Sequence, residues 1–133
     1  MPAAVEFFFD FSSPYGYLAA QRIDALAARH GRGVDWKPML LGVVFKHVGK
    51  APLTTIPLKG EYSRLDFERS ARHHGIAGFR MPSKFPIPTQ NAARVYWWLH
   101  DTTTPEQAVA WAHAGLRALF TRGVDLSDAA QLD

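Results

Sequence analysis

A strand that runs directly into a helix limits the folds open to this chain more than any other part of its sequence. The run from Val5 to Phe9 is almost continuously apolar and rich in residues that favour strands, so it predicts a buried strand covered on both faces. Ser13 and Pro14 then form a typical helix start, because serine caps the first turn and proline suits the first helical position. These residues place a hydroxyl group at the start of a helix.

The same segment predicts a β-α-β unit. A helix is expected from Pro14 to His30, followed by a second strand at about Val34 to Met39. Pro38 indicates an edge strand or a strand end, because proline cannot donate to the hydrogen-bond ladder. Such a unit is right-handed and has parallel strands.

The rest of the chain predicts helices joined by loops rich in glycine and proline. The expected helices run from Tyr62 to His74, from Thr89 as a cap to about His100, and from Thr104 as a cap to Gly123. Ser127 predicts one more cap, close to the last residue, Asp133. A helix that short is marginal, so we expect a chain that is truncated at its C-terminal end.

The Ser13 hydroxyl is the best candidate for chemistry, because unpaired amides and the positive end of the helix dipole suit an anion. The alternative is that Ser13 is only a cap. In thioredoxin-like oxidoreductases a Cys-x-x-Cys pair occupies this kind of strand-to-helix turn, but here the four positions are Ser13 to Gly16 and the chain has no cysteine. Thiol–disulfide exchange by the protein itself is therefore excluded, whereas a serine can donate a hydrogen bond to the sulfur of a bound thiol.

Three motifs point to a family. They are Phe-Asp-Phe-Ser-Ser-Pro-Tyr-Gly-Tyr-Leu-Ala at 9–19, Gly-Lys-Ala-Pro at 49–52 with Pro-Leu-Lys-Gly-Glu-Tyr at 57–62, and Met-Pro-Ser-Lys-Phe-Pro-Ile-Pro at 81–88. In this order and spacing they resemble the 2-hydroxychromene-2-carboxylate isomerases and the kappa-class glutathione transferases. The resemblance implies an α/β protein with a thioredoxin-like fold, related to disulfide oxidoreductase A, and an inserted all-helical domain.

The resemblance also divides the chain. Residues 1–40 are expected to form the N-terminal β-α-β part of the thioredoxin-like domain, and residues 41–133 the helical insertion. The C-terminal part of the thioredoxin-like domain is expected to be missing.

The resemblance implies glutathione as cofactor and a cis-trans isomerisation in aromatic catabolism, of the type that converts 2-hydroxychromene-2-carboxylate to trans-o-hydroxybenzylidenepyruvate. A glutathione thiolate stabilised by Ser13 would add reversibly to the aromatic keto acid, which splits a difficult rotation into easier steps. Two alternatives stay open. One is a kappa-like glutathione transferase or peroxidase, and the other is a non-catalytic thioredoxin-like fragment or binding module.

Site residues follow from the same resemblance. Glutathione is expected to contact Ser13, Pro14, Tyr15, Lys50 and Lys59. Lys50 stands where the family usually has asparagine, and Lys59 is either a partner for a carboxylate or an exposed loop lysine.

Other residues are assigned to the substrate or to packing. An aromatic substrate is expected to contact Phe45, Phe85, Pro86 and Pro88, with plain packing as the alternative. Asp66 and Arg69 are spaced for a structural salt bridge on a helix.

Composition bears on partners and compartment. The net charge of +3 is spread along the chain, so no nucleic-acid partner is expected. No apolar run is long enough to cross a bilayer and no basic leader precedes the first strand, which predicts a cytoplasmic protein without a membrane partner. The histidines lack partners at ligand spacing, so no metal site is expected. The resemblance implies a homodimer.

Overall fold

The computed structural model describes residues 2–133 and confirms the α/β class and the parallel β-α-β unit. Strand β1, Val5–Phe9, pairs in parallel with β2, Val34–Pro38, in a two-stranded sheet. The helices of the described residues are α1 Pro14–Ala20, α2 Ile23–Arg29, α3 Leu41–Val48, α4 Lys59–His73, α5 Gln90–Thr102 and α6 Pro105–Arg122. Short 3-10 turns lie at Leu53–Thr55 and Ala129–Gln131. None of the helices in residues 2–133 is both long and apolar enough to cross a membrane.

The prediction of a single helix from Pro14 to His30 is wrong. This segment forms two helices, α1 and α2, because the backbone tightens at Arg22, whose φ is −125°. The Arg22 N–H bonds to the Ala19 carbonyl three residues back, at 3.0 Å, rather than four. The apolar spacing of the two helices remains continuous, so periodicity alone does not reveal this change of direction.

The expectation that β1 is covered on both faces is also wrong for the described residues. Phe7 and Phe9 are 8% and 3% exposed, whereas Phe8 between them is 58% exposed. The buried face packs on α5 and α6, and the Tyr96 hydroxyl donates to the carbonyl of Trp36 on β2 at 3.0 Å. The other face carries Phe8 beside charged side chains of both strands.

One hydrophobic cluster joins the strands to the helices. It runs from Phe7 and Phe9 through Tyr96 to Leu116 and Phe120, so it includes side chains from both sides of residue 40. The division into 1–40 and 41–133 stays a prediction.

The two helix caps predicted nearest the C-terminal end, Thr104 and Ser127, differ in outcome. The Thr104 side chain accepts from the Gln107 N–H at 3.2 Å, which confirms the cap of α6. The predicted Ser127 cap is wrong, because Asp128 caps the last 3-10 turn and the Ser127 hydroxyl donates to Asp125. A carboxylate one residue later therefore takes the capping position.

Helix α4 begins in close contact with the 3-10 turn before it. A Cβ at Gly60 would lie 2.4 Å from the Thr54 carbonyl oxygen, which is backbone and cannot turn aside. Glycine at this position therefore allows α4 to approach the turn that contains Thr54.

We expect Gly60→Ala to lower the free energy of unfolding by about 2 kcal/mol, because the new methyl group forces the turn away from α4. The matched control is Gly115→Ala in α6, where a Cβ meets Leu126 at an ordinary 3.7 Å. That change should be neutral or stabilising by up to about 1 kcal/mol, from helix propensity alone. Urea unfolding measures both. Equal effects of the two substitutions would contradict the close approach at Gly60.

Candidate active site

An apolar cavity of about 440 Å³ opens where β1 ends and α1 begins. Its walls come from α3, the 3-10 turn that follows, Phe67 of α4 and the proline-rich loop before α5. Most of the lining side chains are aliphatic, aromatic or proline, with hydroxyl groups where α1 begins. A cavity of this size and composition is typical of a small-molecule site.

The structure brings many of the predicted site residues together. Those that line the cavity are Ser13, Tyr15, Phe45, Phe85, Pro86 and Pro88. The aromatic and proline side chains come from α3 and from the loop before α5, and they meet on the cavity wall. Their contact with a ligand stays a prediction.

Three residues expected to bind glutathione lie outside the cavity lining. Pro14 is buried behind it in the first turn of α1. Lys50 and Lys59 are exposed, one after the end of α3 and the other at the first position of α4. Any contact they make with a ligand must therefore involve a group that extends beyond the described cavity.

Ser13 combines the two roles that the sequence left open. Its Oγ accepts a hydrogen bond from the Gly16 N–H at 3.0 Å, so it caps α1. No described residue accepts a hydrogen bond from this hydroxyl, whose proton is therefore available on the cavity wall. A Cβ at Gly16 would lie 3.3 Å from Ser13 Oγ and 3.1 Å from its Cβ, so glycine keeps the hydroxyl uncrowded.

Asp10 is a lining residue that the sequence analysis missed. Its Oδ1 accepts from the Ser12 N–H at 2.8 Å and from the Thr89 hydroxyl at 2.7 Å, and its Oδ2 accepts from the Leu41 N–H at 2.8 Å. One buried carboxylate thus joins the end of β1 to the starts of α3 and α5. The signal was an aspartate inside the apolar run from Phe9 to Phe11, since a carboxylate there requires hydrogen-bond partners.

The prediction that Thr89 is the N-cap of α5 is confirmed in position, but the side-chain hydrogen bond expected of a cap is absent. Thr89 occupies the N-cap position, but its hydroxyl makes no capping bond and donates to Asp10 instead. A hydroxyl can donate and accept at once, so the bond to Asp10 alone does not exclude a cap; the ψ of 13° at Thr89, in place of the extended backbone usual at an N-cap, accounts for the missing bond.

Ser12 is a second hydroxyl on the cavity wall that the sequence analysis did not single out. Its Oγ accepts from the Ile87 N–H at 3.3 Å. This contact holds the loop that carries Phe85 and Pro86 against the start of α1. The peptide bond between Phe85 and Pro86 is cis.

Tyr15 connects the cavity to α4. Its hydroxyl donates to Asp66 Oδ2 at 2.5 Å, and its ring packs edge-on against Phe67 with centroids 4.7 Å apart. Burial, and then the hydrogen bond to Asp66, raise the pKa of Tyr15 to about 12, so the phenol keeps its proton. Hydrogen bonds from Tyr15 and Arg69 lower the pKa of Asp66, and the Asp66–Arg69 salt bridge at 3.0 Å confirms the structural pair expected from the sequence.

The charge of the site is low. Among the described residues Asp10 is the one charged side chain in the cavity lining, and no lysine, arginine or histidine joins it there. Residues 2–133 hold no group of three or more histidine, aspartate or glutamate side chains that could hold a metal ion. Three donors already bond the Asp10 carboxylate, so what the lining can offer an anion is hydroxyl donors inside an apolar wall, without a cationic side chain.

Comparisons with known proteins agree with this architecture. The family model described as a DSBA-like thioredoxin domain matches residues 4–133. A 2-hydroxychromene-2-carboxylate isomerase of Pseudomonas putida is 29% identical over 122 residues, covering 90% of this chain and 57% of the relative. Another, from Sphingobium xenophagum, is 26% identical over 135 residues, covering 99% of this chain and 66% of the relative.

Two further matches are a glutathione transferase and a solved isomerase structure. Glutathione S-transferase kappa 1 of Caenorhabditis elegans is 30% identical over 73 residues, covering 54% of this chain and 32% of the relative. A solved structure of a 2-hydroxychromene-2-carboxylate isomerase superposes with a TM-score of 0.79 at 24% identity, covering 96% of this chain and 61% of that one. The chain spans less than two thirds of the length of these relatives.

Proposed function

Because the chain belongs to the DSBA-like thioredoxin domain family, we propose that it serves a glutathione-dependent cis-trans isomerisation of a ring-opened aromatic keto acid. The reaction type is the conversion of 2-hydroxychromene-2-carboxylate to trans-o-hydroxybenzylidenepyruvate. The observation that carries the proposal is the Ser13 hydroxyl, which lies on the wall of an apolar cavity with its proton uncommitted. Two relatives named as such isomerases support it.

The residues of the cavity fit the thiol end of glutathione. Ser13 would donate to the sulfur, and the exposed lysines Lys50 and Lys59 would pair with carboxylates that extend beyond the cavity. The wall formed by Phe45, Phe85 and neighbouring prolines fits an aromatic ring. When bound, glutathione would supply a thiolate as the nucleophile.

Ser13 shifts the protonation of such a thiol. A free thiol has a pKa of about 8.5, so a minority is ionised at neutral pH, and a hydroxyl donor favours the ionised form. The Gly16 N–H donates to Ser13 Oγ, which strengthens Ser13 as a donor by polarising its O–H bond. The apolar wall strengthens this hydrogen bond relative to solvent but also disfavours the charged thiolate, so the hydroxyl donor has to offset that cost. Ser13 therefore acts by charge stabilisation and carries no bond to the substrate.

The direct test is an isomerisation assay on the purified chain, followed by absorbance. We expect conversion with glutathione, and none above background with S-methylglutathione, which has the same carboxylates but no thiol. Conversion at the same rate without glutathione would rule out the proposed cofactor.

A glutathione transferase or peroxidase is the second candidate. It is favoured by the match to a kappa-class transferase and by the lack of a cationic side chain in the described cavity lining, which suits a neutral electrophile. Mass spectrometry of the products separates the candidates, because a transferase leaves a glutathione conjugate and an isomerase leaves a geometric isomer. Calorimetric binding of glutathione without any turnover would instead identify a binding module.

A further inference from the structure

A second cavity, of about 250 Å³, shares no lining residue with the first. It lies where the junction of α1 and α2 meets the end of α4 and the C-terminal half of α6. Its polar side chains are Tyr17, Gln21, Arg22, His74, Arg117 and Thr121. The cavity plays no part in the function proposed above.

The positive charge of this cavity is not balanced by any acidic side chain of its lining. Arg22 and Arg117 both line it, and no aspartate or glutamate is among its lining residues. Neither guanidinium forms a salt bridge with a carboxylate in the described part of the chain, and the contact that Arg22 makes is with His74 Nε2 at 3.3 Å. Burial, followed by the charges of Arg22 and His73, lowers the pKa of His74, so His74 adds no charge at neutral pH. The cavity thus carries two positive charges.

The lining residues Tyr17 and Gln21 each have a neutral donor without a partner in the described residues. Gln21 Nε2 is buried and has no acceptor in residues 2–133. The Tyr17 hydroxyl also lines the cavity and makes no hydrogen bond to a described residue. Burial raises the pKa of Tyr17, with Arg117 opposing, so the phenol keeps its proton as a donor. Because the accessible area of Gln21 Nε2 is close to zero, a ligand in the cavity reaches the Tyr17 hydroxyl but not this amide nitrogen in its present position.

We propose that this cavity binds a doubly charged oxyanion of the phosphate class. Two guanidinium groups balance two negative charges, and their forked donors match the oxygen spacing of a phosphate. The Tyr17 hydroxyl supplies a further donor to the same oxygens. A singly charged carboxylate would leave one guanidinium unpaired in a partly enclosed space, so it should bind more weakly.

The test is an NMR titration of the chain with inorganic phosphate at constant ionic strength. We expect saturable shifts at Tyr17, Gln21 and Arg22, and binding at least tenfold weaker in Arg22→Gln and Arg117→Gln. The matched control is Arg64→Gln, which removes the same charge from an exposed position of α4 and should change affinity less than twofold. Acetate should bind at least tenfold more weakly than phosphate.

Several outcomes would overturn the proposal. Chemical shifts that grow linearly with phosphate and do not saturate would contradict a specific site. An equal loss of phosphate affinity in Arg64→Gln and Arg117→Gln would contradict it too. Acetate binding as tightly as phosphate would exclude the phosphate class. Tyr17→Phe retains the stacked contact with Phe120, with centroids 5.3 Å apart, and should weaken binding about threefold. Unchanged affinity in that variant would count against the site even if an arginine variant failed to fold.

Discussion

Ser13→Ala should lower the turnover of the isomerisation by about 100-fold or more, while the affinity for glutathione changes little. The reason is that Ser13 would donate to the sulfur while negative charge develops on it as the thiolate leaves the adduct, and loss of one donor to developing charge lowers turnover by about 100- to 1,000-fold. Most contacts of a tripeptide lie away from its sulfur, so binding is retained. Steady-state kinetics at saturating glutathione, with calorimetry for affinity, measure the two quantities separately.

The control must separate the role of Ser13 as a hydrogen-bond donor to the thiol from its role as the cap of α1. Thr104→Ala removes an equivalent cap, from a helix that also has proline at its first position, and it lies outside the cavity lining. Both substitutions should lower the free energy of unfolding by about 1 kcal/mol, but Thr104→Ala should leave turnover unchanged. If Ser13→Ala loses stability and keeps turnover, Ser13 is a cap alone.

The features that the sequence predicted well are those encoded locally. The run from Val5 to Phe9 forms the strand, Pro14 begins the helix, and Ser13 accepts from the amide three residues later, all within one short segment. The resemblance to a family added the aromatic side chains of Phe45 and Phe85, which line one cavity although α3 and the loop before α5 are far apart in the sequence.

What the sequence did not predict depends on distant partners. The bonds of Asp10 to Leu41 and Thr89 cross 31 and 79 residues, so no local pattern connects them. The exposure of Phe8 depends on which elements cover each face of the sheet, and here a continuous apolar run, which usually indicates two covered faces, has one face open. The tightened turn at Arg22 leaves the spacing of the apolar positions unchanged, so the sequence pattern does not show it.

Asp10→Ala should lower the free energy of unfolding by about 3–5 kcal/mol, because it leaves the Ser12 and Leu41 amides and the Thr89 hydroxyl without their acceptor. Such a loss is a large part of the 5–15 kcal/mol that is usual for a domain. Urea unfolding followed by circular dichroism measures it. The exposed carboxylate Asp128, which caps the last 3-10 turn through one amide, provides the control. Asp128→Ala should lose about 1 kcal/mol or less.

A double-mutant cycle tests whether Asp10 acts through these partners. Thr89→Val removes the hydroxyl that Asp10→Ala would leave unpaired, so the double variant should lose clearly less stability than the sum of the two single losses. Strict additivity would mean that the two side chains do not interact. Asp10→Asn retains one oxygen but places an amide donor where Oδ2 met the Leu41 N–H, so it should fall between alanine and the natural residue. An asparagine variant as stable as the natural chain would contradict a requirement for two acceptor oxygens, and with it the view that one carboxylate holds three segments of the cavity wall in place.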